Sequence, residues 1–479
     1  MAQSDQRSAT VTSAYAIVTC LFFAWGFITS LVDPLVAAVK GIFQLSDVEA
    51  QLSASAFFIA YGVMSLPAAV LLSRKKAVPT VLIALTLMVA GCMIMLAAAN
   101  IAEYPLVLLG LFVLASGITI LQVAANPLAA ALGAPERSHF RLTFSQTFNS
   151  LGTFIGPYLG AVLFLKGVEV KEGTVITDAV REQSLLGIDR AFFWIAGLII
   201  LIAVVIWMGR RVISASAPAQ SEAAVGAMSA IVRRAFLSPQ GLIGIAALVA
   251  FLGAWLAGIL TDPVVTLIIG EAIVFYILIV VGLAIGSTWA LFGGLAIFLY
   301  VGAEVAIGTQ MAFFLNSDRI WTVPLEDAAK YVSLYWGGAM VGRLVGSGLL
   351  TQFPAPKLLA VFTGAAAAMC FYVFAVGGVS AGYIALAIGL FNSIMFPVIF
   401  TITLERSTAS EEATSGFLCF SIIGGAAIPP LVGLVSQNSD YVTAFIVPAI
   451  CYGILLFFAL SAGRAAAARR APEAPVEPL

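Results

Sequence analysis

The chain alternates long apolar runs with short polar breaks. A bilayer core about 30 Å thick is crossed by about 20 apolar residues in a helix. Runs of this kind lie at 14–38, 49–72, 77–99, 104–131, 140–165 and 189–208. A polar, Ala- and Ser-rich segment from Arg210 to Arg234 interrupts the series. Further runs follow at 241–260, 264–288, 291–315, 331–350, 357–377, 381–404, 414–436 and 441–462. The pattern predicts an all-α polytopic membrane protein with about 14 spans. Its weakest boundary is Ser287–Leu291, where two runs nearly fuse. Asp262-Pro263 reads as the turn of a helical hairpin.

Composition agrees with lipid as the main solvent. Only 10% of the 479 residues are charged and 61% are apolar, against about 25% charged in a soluble domain. A net charge of −1 gives no footprint for a nucleic-acid partner. The first run is too long for a signal-peptide core and has no convincing cleavage site, so it reads as a retained span. The five cysteines all fall inside apolar runs and read as small buried apolar residues. Cytoplasmic loops carry the excess of Lys and Arg. With the N-terminus inside, 16 of the 23 Lys and Arg fall on the cytoplasmic side, among them Arg74, Arg137, Arg343 and Arg406. Both termini are then cytoplasmic, in a bacterial inner membrane.

An internal repeat divides the chain. Asn126-Pro127 followed by Glu136-Arg137-Ser138 matches Phe396-Pro397 followed by Glu405-Arg406-Ser407. Asn149 to Gly152 with Pro157 matches Ser421 to Gly424 with Pro429, and the offset stays between 269 and 272 residues. Repeats in secondary transporters create a solute site near the midplane. The expected organisation is a six-helix bundle at 1–208 and a cytoplasmic linker at 209–240. An inserted transmembrane hairpin follows at 241–290, then a second six-helix bundle at 291–463 and a disordered tail at 464–479.

Several strings carry a family resemblance. They are Phe22-Phe-Ala-Trp25-Gly26, Asp33, Ser55-Ala-Phe-Phe58 with Tyr61-Gly62, and Leu121-Gln-Val-Ala-Ala-Asn-Pro127. His139-Phe-Arg-Leu142, Gln146-Thr-Phe-Asn-Ser150 and Tyr300-Val-Gly-Ala-Glu304 complete them. The chain resembles the fucose–proton symporter family of the major facilitator superfamily, especially its glucose/galactose transporter branch. The resemblance implies two six-helix bundles and cation-driven sugar uptake by alternating access. The family's fucose-transporting members carry a glutamate where this chain has Gln122. The resemblance does not cover residues 235–290.

Polar groups inside the spans mark the candidate site. An Asp at a helix centre costs about 2.5–3.5 kcal/mol to insert, so intramembrane carboxylates face cavities or partners. Asp33, directly before Pro34, and Glu304, with Tyr300 one turn earlier, are the candidate cation-coupling groups. No Lys or Arg lies near Glu304 in sequence at its depth. Glu271, in the hairpin, reads as a packing residue. Gln122 and Asn126 share a stripe with Thr119, and Gln146 and Asn149 share one with Thr143 and Thr153. Asn392 opens a weaker stripe. Amides donate and accept, which suits a sugar's hydroxyls. Trp25, and less surely Trp336, would stack on a sugar ring. The candidate solute ligands are therefore Trp25, Gln122, Asn126, Gln146, Asn149, Tyr300, Glu304 and Asn392. Thr119 and Thr143 fit interhelical hydrogen bonding better.

His139, between Arg137 and Arg141, reads as part of a solvated basic loop or a gate latch. Gly338 to Gly348 lacks a following Gly-Lys-Ser/Thr, so it reads as close helix packing and supplies no ATP site. No His or Cys cluster supports an enzyme. The sequence thus predicts a membrane-embedded symporter without a cofactor. Its expected partners are lipid, a hexose resembling glucose or galactose, and a co-transported H+ or Na+. Fucose, N-acetylglucosamine or a non-sugar solute remain alternatives.

Overall fold

The computed structural model describes residues 2–31, 35, 43, 47–164, 178–216 and 223–465. Asp33 and most of the C-terminal tail lie outside the described residues. Every regular element among those described is helical. The first group comprises α1 (Ala2–Ser30), α2 (Asp47–Lys75), α3 (Ala77–Ile101), α4 (Tyr104–Ala131), α5 (Ser138–Phe164) and α6 (Asp178–Ser216). Next come α7 (Ala223–Leu237), α8 (Pro239–Leu256) and α9 (Pro263–Ile285). The last group is α10 (Thr288–Asn316), α11 (Leu325–Leu349), α12 (Ala355–Val376), α13 (Gly378–Asn392), α14 (Met395–Arg406), α15 (Glu411–Phe420), α16 (Gly424–Asn438) and α17 (Ile446–Arg464).

Among the described residues, eleven stretches are long and apolar enough to cross a membrane, or twelve if the bent pair α7–α8 is one span. The expected count of about 14 is therefore not supported. Runs 140–165 and 331–350 do form helices, α5 and α11. Neither is among those eleven stretches; both present polar side chains to the central cavity, such as Gln146 and Asn149 on α5 and Arg343 on α11. Two other expectations also change. The expected linker at 209–240 is largely helical: α6 continues to Ser216, and α7 meets α8 at a 54° bend around Ser238. Runs 381–404 and 414–436 are each broken, between α13 and α14 and by a 3-10 turn at Ser421–Ile423.

Local chemistry sets several boundaries. Asp262 caps α9 by accepting from the backbone N–H groups of Val264 (2.8 Å) and Val265 (3.0 Å), with Pro263 as the first helical residue. Short polar side chains at this position satisfy amides that the helix leaves unpaired. The weak 287–291 boundary is also resolved by capping. Gly286 adopts a left-handed conformation (φ 78°), and Ser287 accepts from Ala290 N at 3.3 Å.

The helices pack as two sets. In the first, α1 lies against α5 and α6, and α4 against α2 and α3. In the second, α11 packs on α13, α12 on α17, and α10 on α16. The pair α8–α9 sits beside the second set, with α9 touching α10, α15 and α16. One close crossing occurs twice. A Cβ on Gly152 would lie 2.5 Å from Phe27 N, and one on Gly424 would lie 2.0 Å from Phe298 O. Glycine lets α5 approach α1, and the start of α16 approach α10, more closely than any other residue would.

The two sets meet along α5 with α11 and α14, and along α15 with α2 and α4. At one end they are latched by polar groups. Ser138 Oγ donates to Glu405 Oε1 at 2.9 Å, His139 hydrogen-bonds Thr401, and His139 Nε2 lies 3.2 Å from Glu405. Ser415 Oγ donates to Val123 O at 2.8 Å nearby. His139 thus belongs to the first turn of α5 and is partly buried. It does not sit in a solvated loop. At a helix junction near the opposite end, Arg319 pairs with Asp440. Burial alone would raise the Asp440 carboxyl, but the Thr443 backbone N–H and the Arg319 guanidinium hold it below its usual range.

The latch generates a direct test. In a cysteine-free background, His139→Cys with Thr401→Cys is expected to cross-link on oxidation. After cleavage at a protease site introduced in 217–222, the two fragments should stay joined on a non-reducing gel. Separation of the fragments would show that these helices do not meet.

Candidate functional site

A cavity of about 220 Å³ lies between the two sets. This is small against typical ligand pockets of roughly 300–1,000 Å³, and it suits a small solute. Helices α1, α2, α4 and α5 wall one side, while α10, α11, α14 and Ile422 wall the other.

The first side is built around amides. The glycine crossing brings α1 against α5, so Trp25 and Asn149 meet. The Asn149 side-chain carbonyl, oriented by its neighbours, accepts from Trp25 Nε1 at 2.7 Å and Gly26 N at 3.1 Å. Gln122 Nε2 donates to Tyr61 OH at 2.6 Å, and both residues line the cavity. Gln146 also lines it and donates to Asn126 Oδ1 at 3.3 Å. Asn126 is itself fully buried behind that wall, and its Nδ2 has no partner. Phe57 and Phe58 add aromatic surface.

The second side carries charge. Glu304 and Tyr300 on α10 line the cavity with Trp336 and Arg343 on α11. Trp336 and Arg343 are seven residues apart, two helical turns, and so share a face. Arg343 Nη2 is 4.0 Å from Glu304 Oε1. Its Nε donates to Ser393 O at 2.8 Å, and its Nη1 donates to Ser150 Oγ on α5. Tyr335 OH donates to the Glu304 backbone carbonyl at 3.0 Å.

Asn392 lies behind this wall. Its Nδ2 donates to Tyr335 OH at 2.7 Å, and its backbone carbonyl accepts from Tyr300 OH at 3.1 Å. Its Oδ1 has no partner. Of the sequence candidates, then, Trp25, Gln122, Gln146, Asn149, Tyr300 and Glu304 line one cavity. Asn126 and Asn392 brace it from behind, and Asp33 is outside the described residues. Thr119 bonds its own helix at Ala115 O (2.8 Å), away from the cavity. Thr143 is buried without a partner. Glu271, on α9, is outside the cavity lining.

Arg343 is the principal residue that sequence reasoning missed. It was counted with the solvated cytoplasmic cations, but it is buried inside α11, six residues before the helix ends, and faces Glu304. The signal was its place well inside the 331–350 run, where a cation has to find a partner. Tyr61 and Ser150 were also missed as lining residues. Each belongs to a residue string already singled out for the resemblance, but an aromatic or a serine in a span has no distinguishing pattern of its own.

Comparison with known proteins gives the family and the fold. The profile of the Major Facilitator Superfamily matches residues 16–417. A protein of Brucella abortus biovar 1 named glucose/galactose transporter is 36% identical over 447 residues, 93% of each chain. The L-fucose-proton symporter of Escherichia coli K12 is 27% identical over 93% of this chain and 92% of its own. A crystal structure of the transporter FucP in the outward conformation superposes with a TM-score of 0.75. It is 26% identical and covers 95% of this chain and 100% of that one. Family profile, relatives and fold converge, and the chain belongs to the Major Facilitator Superfamily.

Proposed function

We propose that the chain is a proton-coupled sugar symporter of the bacterial cytoplasmic membrane, working by alternating access. The observation that carries this reading is the small cavity between the two helix sets. Amides and the Trp25 indole line one side of it, and a carboxylate–guanidinium pair with Trp336 lines the other. A sugar offers hydroxyls that both donate and accept, and amides answer both roles. Two relatives are named for glucose/galactose and for L-fucose with a proton, which supports a neutral hexose as the solute. Gln122, Gln146 and Asn149 would hold hydroxyls, and Trp25 and Trp336 would offer ring faces. The bundles would be 1–208 and 291–463, with 241–290 an inserted hairpin and both termini cytoplasmic.

A proton suits the site better than sodium. The carboxylate of Glu304 faces a guanidinium at 4.0 Å, and a metal cation there would meet a like charge. A proton neutralises the carboxylate and leaves no net cation behind. Asp33 is the further candidate coupling group, on the sequence argument alone.

The reading is tested in proteoliposomes. The purified protein is expected to exchange labelled glucose or galactose and to accumulate it under an inward proton gradient. A sodium gradient alone should not drive uptake. Absence of saturable exchange across glucose, galactose, fucose and N-acetylglucosamine would reject the sugar reading.

Two substitutions sharpen it. An amide resembles a protonated carboxyl in shape and donors, so Gln122→Glu should bind sugar well at acid pH. Binding should weaken as pH rises and the new acid ionises. Affinity that stays flat with pH in this variant would remove Gln122 from the solute site. Asp33→Asn should retain sugar exchange but lose accumulation against a gradient, because a fixed neutral group mimics permanent proton occupancy. If Asp33 serves only as a helix cap, the Asn variant keeps the cap, and uphill uptake near the wild-type level would show it.

A further inference from the structure

We propose that Arg343 couples protonation of Glu304 to closure of the cavity, by dividing its guanidinium between Glu304 in its own helix set and α5 in the other. The proposal rests on the symporter reading and assigns a working part to it. A guanidinium has five N–H donors in a fixed fork and stays charged. Arg343 directs that fork along three lines. Nε is spent on Ser393 O, within its own set. Nη1 crosses to α5, where it donates to Ser150 Oγ and reaches Gln146 O at 3.5 Å. Nη2 faces Glu304 Oε1 at 4.0 Å, within ion-pair range but beyond a hydrogen bond. The guanidinium is therefore anchored at one corner and shared at the other two.

The sharing places the residue at the meeting point of solute and ion. Ser150 and Gln146 lie on α5 beside Asn149, on the wall that would hold the sugar. Glu304 lies on α10, and both ends of the bridge line the cavity. The groups facing this pair are neutral. They are Tyr300 on its own helix, Tyr335 on α11, Tyr452 on α17 and, behind Tyr335, Cys370 on α12. Tyr61 is the titratable group that the first set adds to the described cavity lining. No second carboxylate or cation appears among the described lining residues.

The step follows from charge balance. A proton from the aqueous phase bonds to a Glu304 carboxylate oxygen, and the carboxylate loses its charge. Arg343 keeps its own proton. Its attraction to Glu304 falls, and the acceptors on α5 become the main partners of Nη1 and Nη2. This draws α5 and α11 together over the solute. When the proton leaves for the opposite phase, the carboxylate recovers its pull on the guanidinium and α5 is released. No bond in the sugar changes.

The test uses the full-length chain in proteoliposomes with Arg343→Gln, Glu304→Gln, the double variant and Arg343→Lys. Arg343→Gln is expected to lose accumulation under a proton gradient and to flatten the pH dependence of sugar exchange. Exchange itself should fall less than accumulation does. Arg343→Lys keeps the charge without the fork and should restore part of the pH dependence. Glu304→Gln, which leaves Arg343 committed to α5, should slow exchange, and the double variant should recover it. A merely structural Arg343 would lower exchange and accumulation together and leave the pH profile in place. If Arg343→Gln does not fold, the double variant carries no unpaired buried charge and gives the same reading through its pH profile. A wild-type pH profile with uphill uptake in either variant overturns the proposal. Absence of accumulation in the wild type would instead reject the symporter reading beneath it.

Discussion

A guanidinium within a bilayer has to have its charge and its donors met by protein, because lipid meets neither. Arg343 meets this demand with partners on three other segments. They are Glu304 on α10, Ser393 at the break between α13 and α14, and Ser150 on α5. Removing one member of such a buried pair costs about 3–5 kcal/mol, since the survivor is left uncompensated. That penalty ties three features together. The α13–α14 break presents a free carbonyl, α5 approaches α11, and the one described carboxylate in the cavity stands opposite the one described cation.

The close approaches that this arrangement needs are made by glycine. Gly389 would place a Cβ 2.0 Å from Tyr335 O, so α13 and α11 touch backbone to backbone. That contact sets Asn392 against the Tyr335 hydroxyl. The same logic at Gly152 sets Asn149 against Trp25. Without a hydrophobic driving force between helices in lipid, small residues and interhelical hydrogen bonds carry the packing. Here they also fix which polar atoms remain free to meet a solute.

Much of this was legible in the sequence because apolar run length and the Gly, Pro and Asp signals are local. Asp262-Pro263 was read as a turn, and it caps α9. The polar stripe through Gln146 and Asn149 was read as a wall of the site, and it lines the cavity. Arg343 was misplaced because counting Lys and Arg toward the cytoplasm assumes that none is buried. Its partner Glu304 is 39 positions away on another helix, and local pattern cannot pair them. Asn126 and Asn392 share chemistry with the lining amides, but whether an amide faces the cavity or braces its wall depends on helix rotation by a fraction of a turn.

The repeat carries the argument one step further. Gln122 donates to the hydroxyl of Tyr61, and Asn392, 270 positions after Gln122, donates to the hydroxyl of Tyr335. Phe27 meets Gly152, and Phe298, 271 positions after Phe27, meets Gly424. The same offset of 271 relates Asp33 to Glu304. The two halves thus share one plan, an amide bonded to a tyrosine, with a carboxylate at matching positions of the sequence. They then diverge. In the first half the amide reaches the cavity, and in the second it is withdrawn behind the wall. Position 69, reached by applying the 274-residue offset of the tyrosines to Arg343, is an alanine. Placing the guanidinium in one half only leaves the first wall neutral and hydroxyl-matching, while the second holds a charge that a proton can cancel.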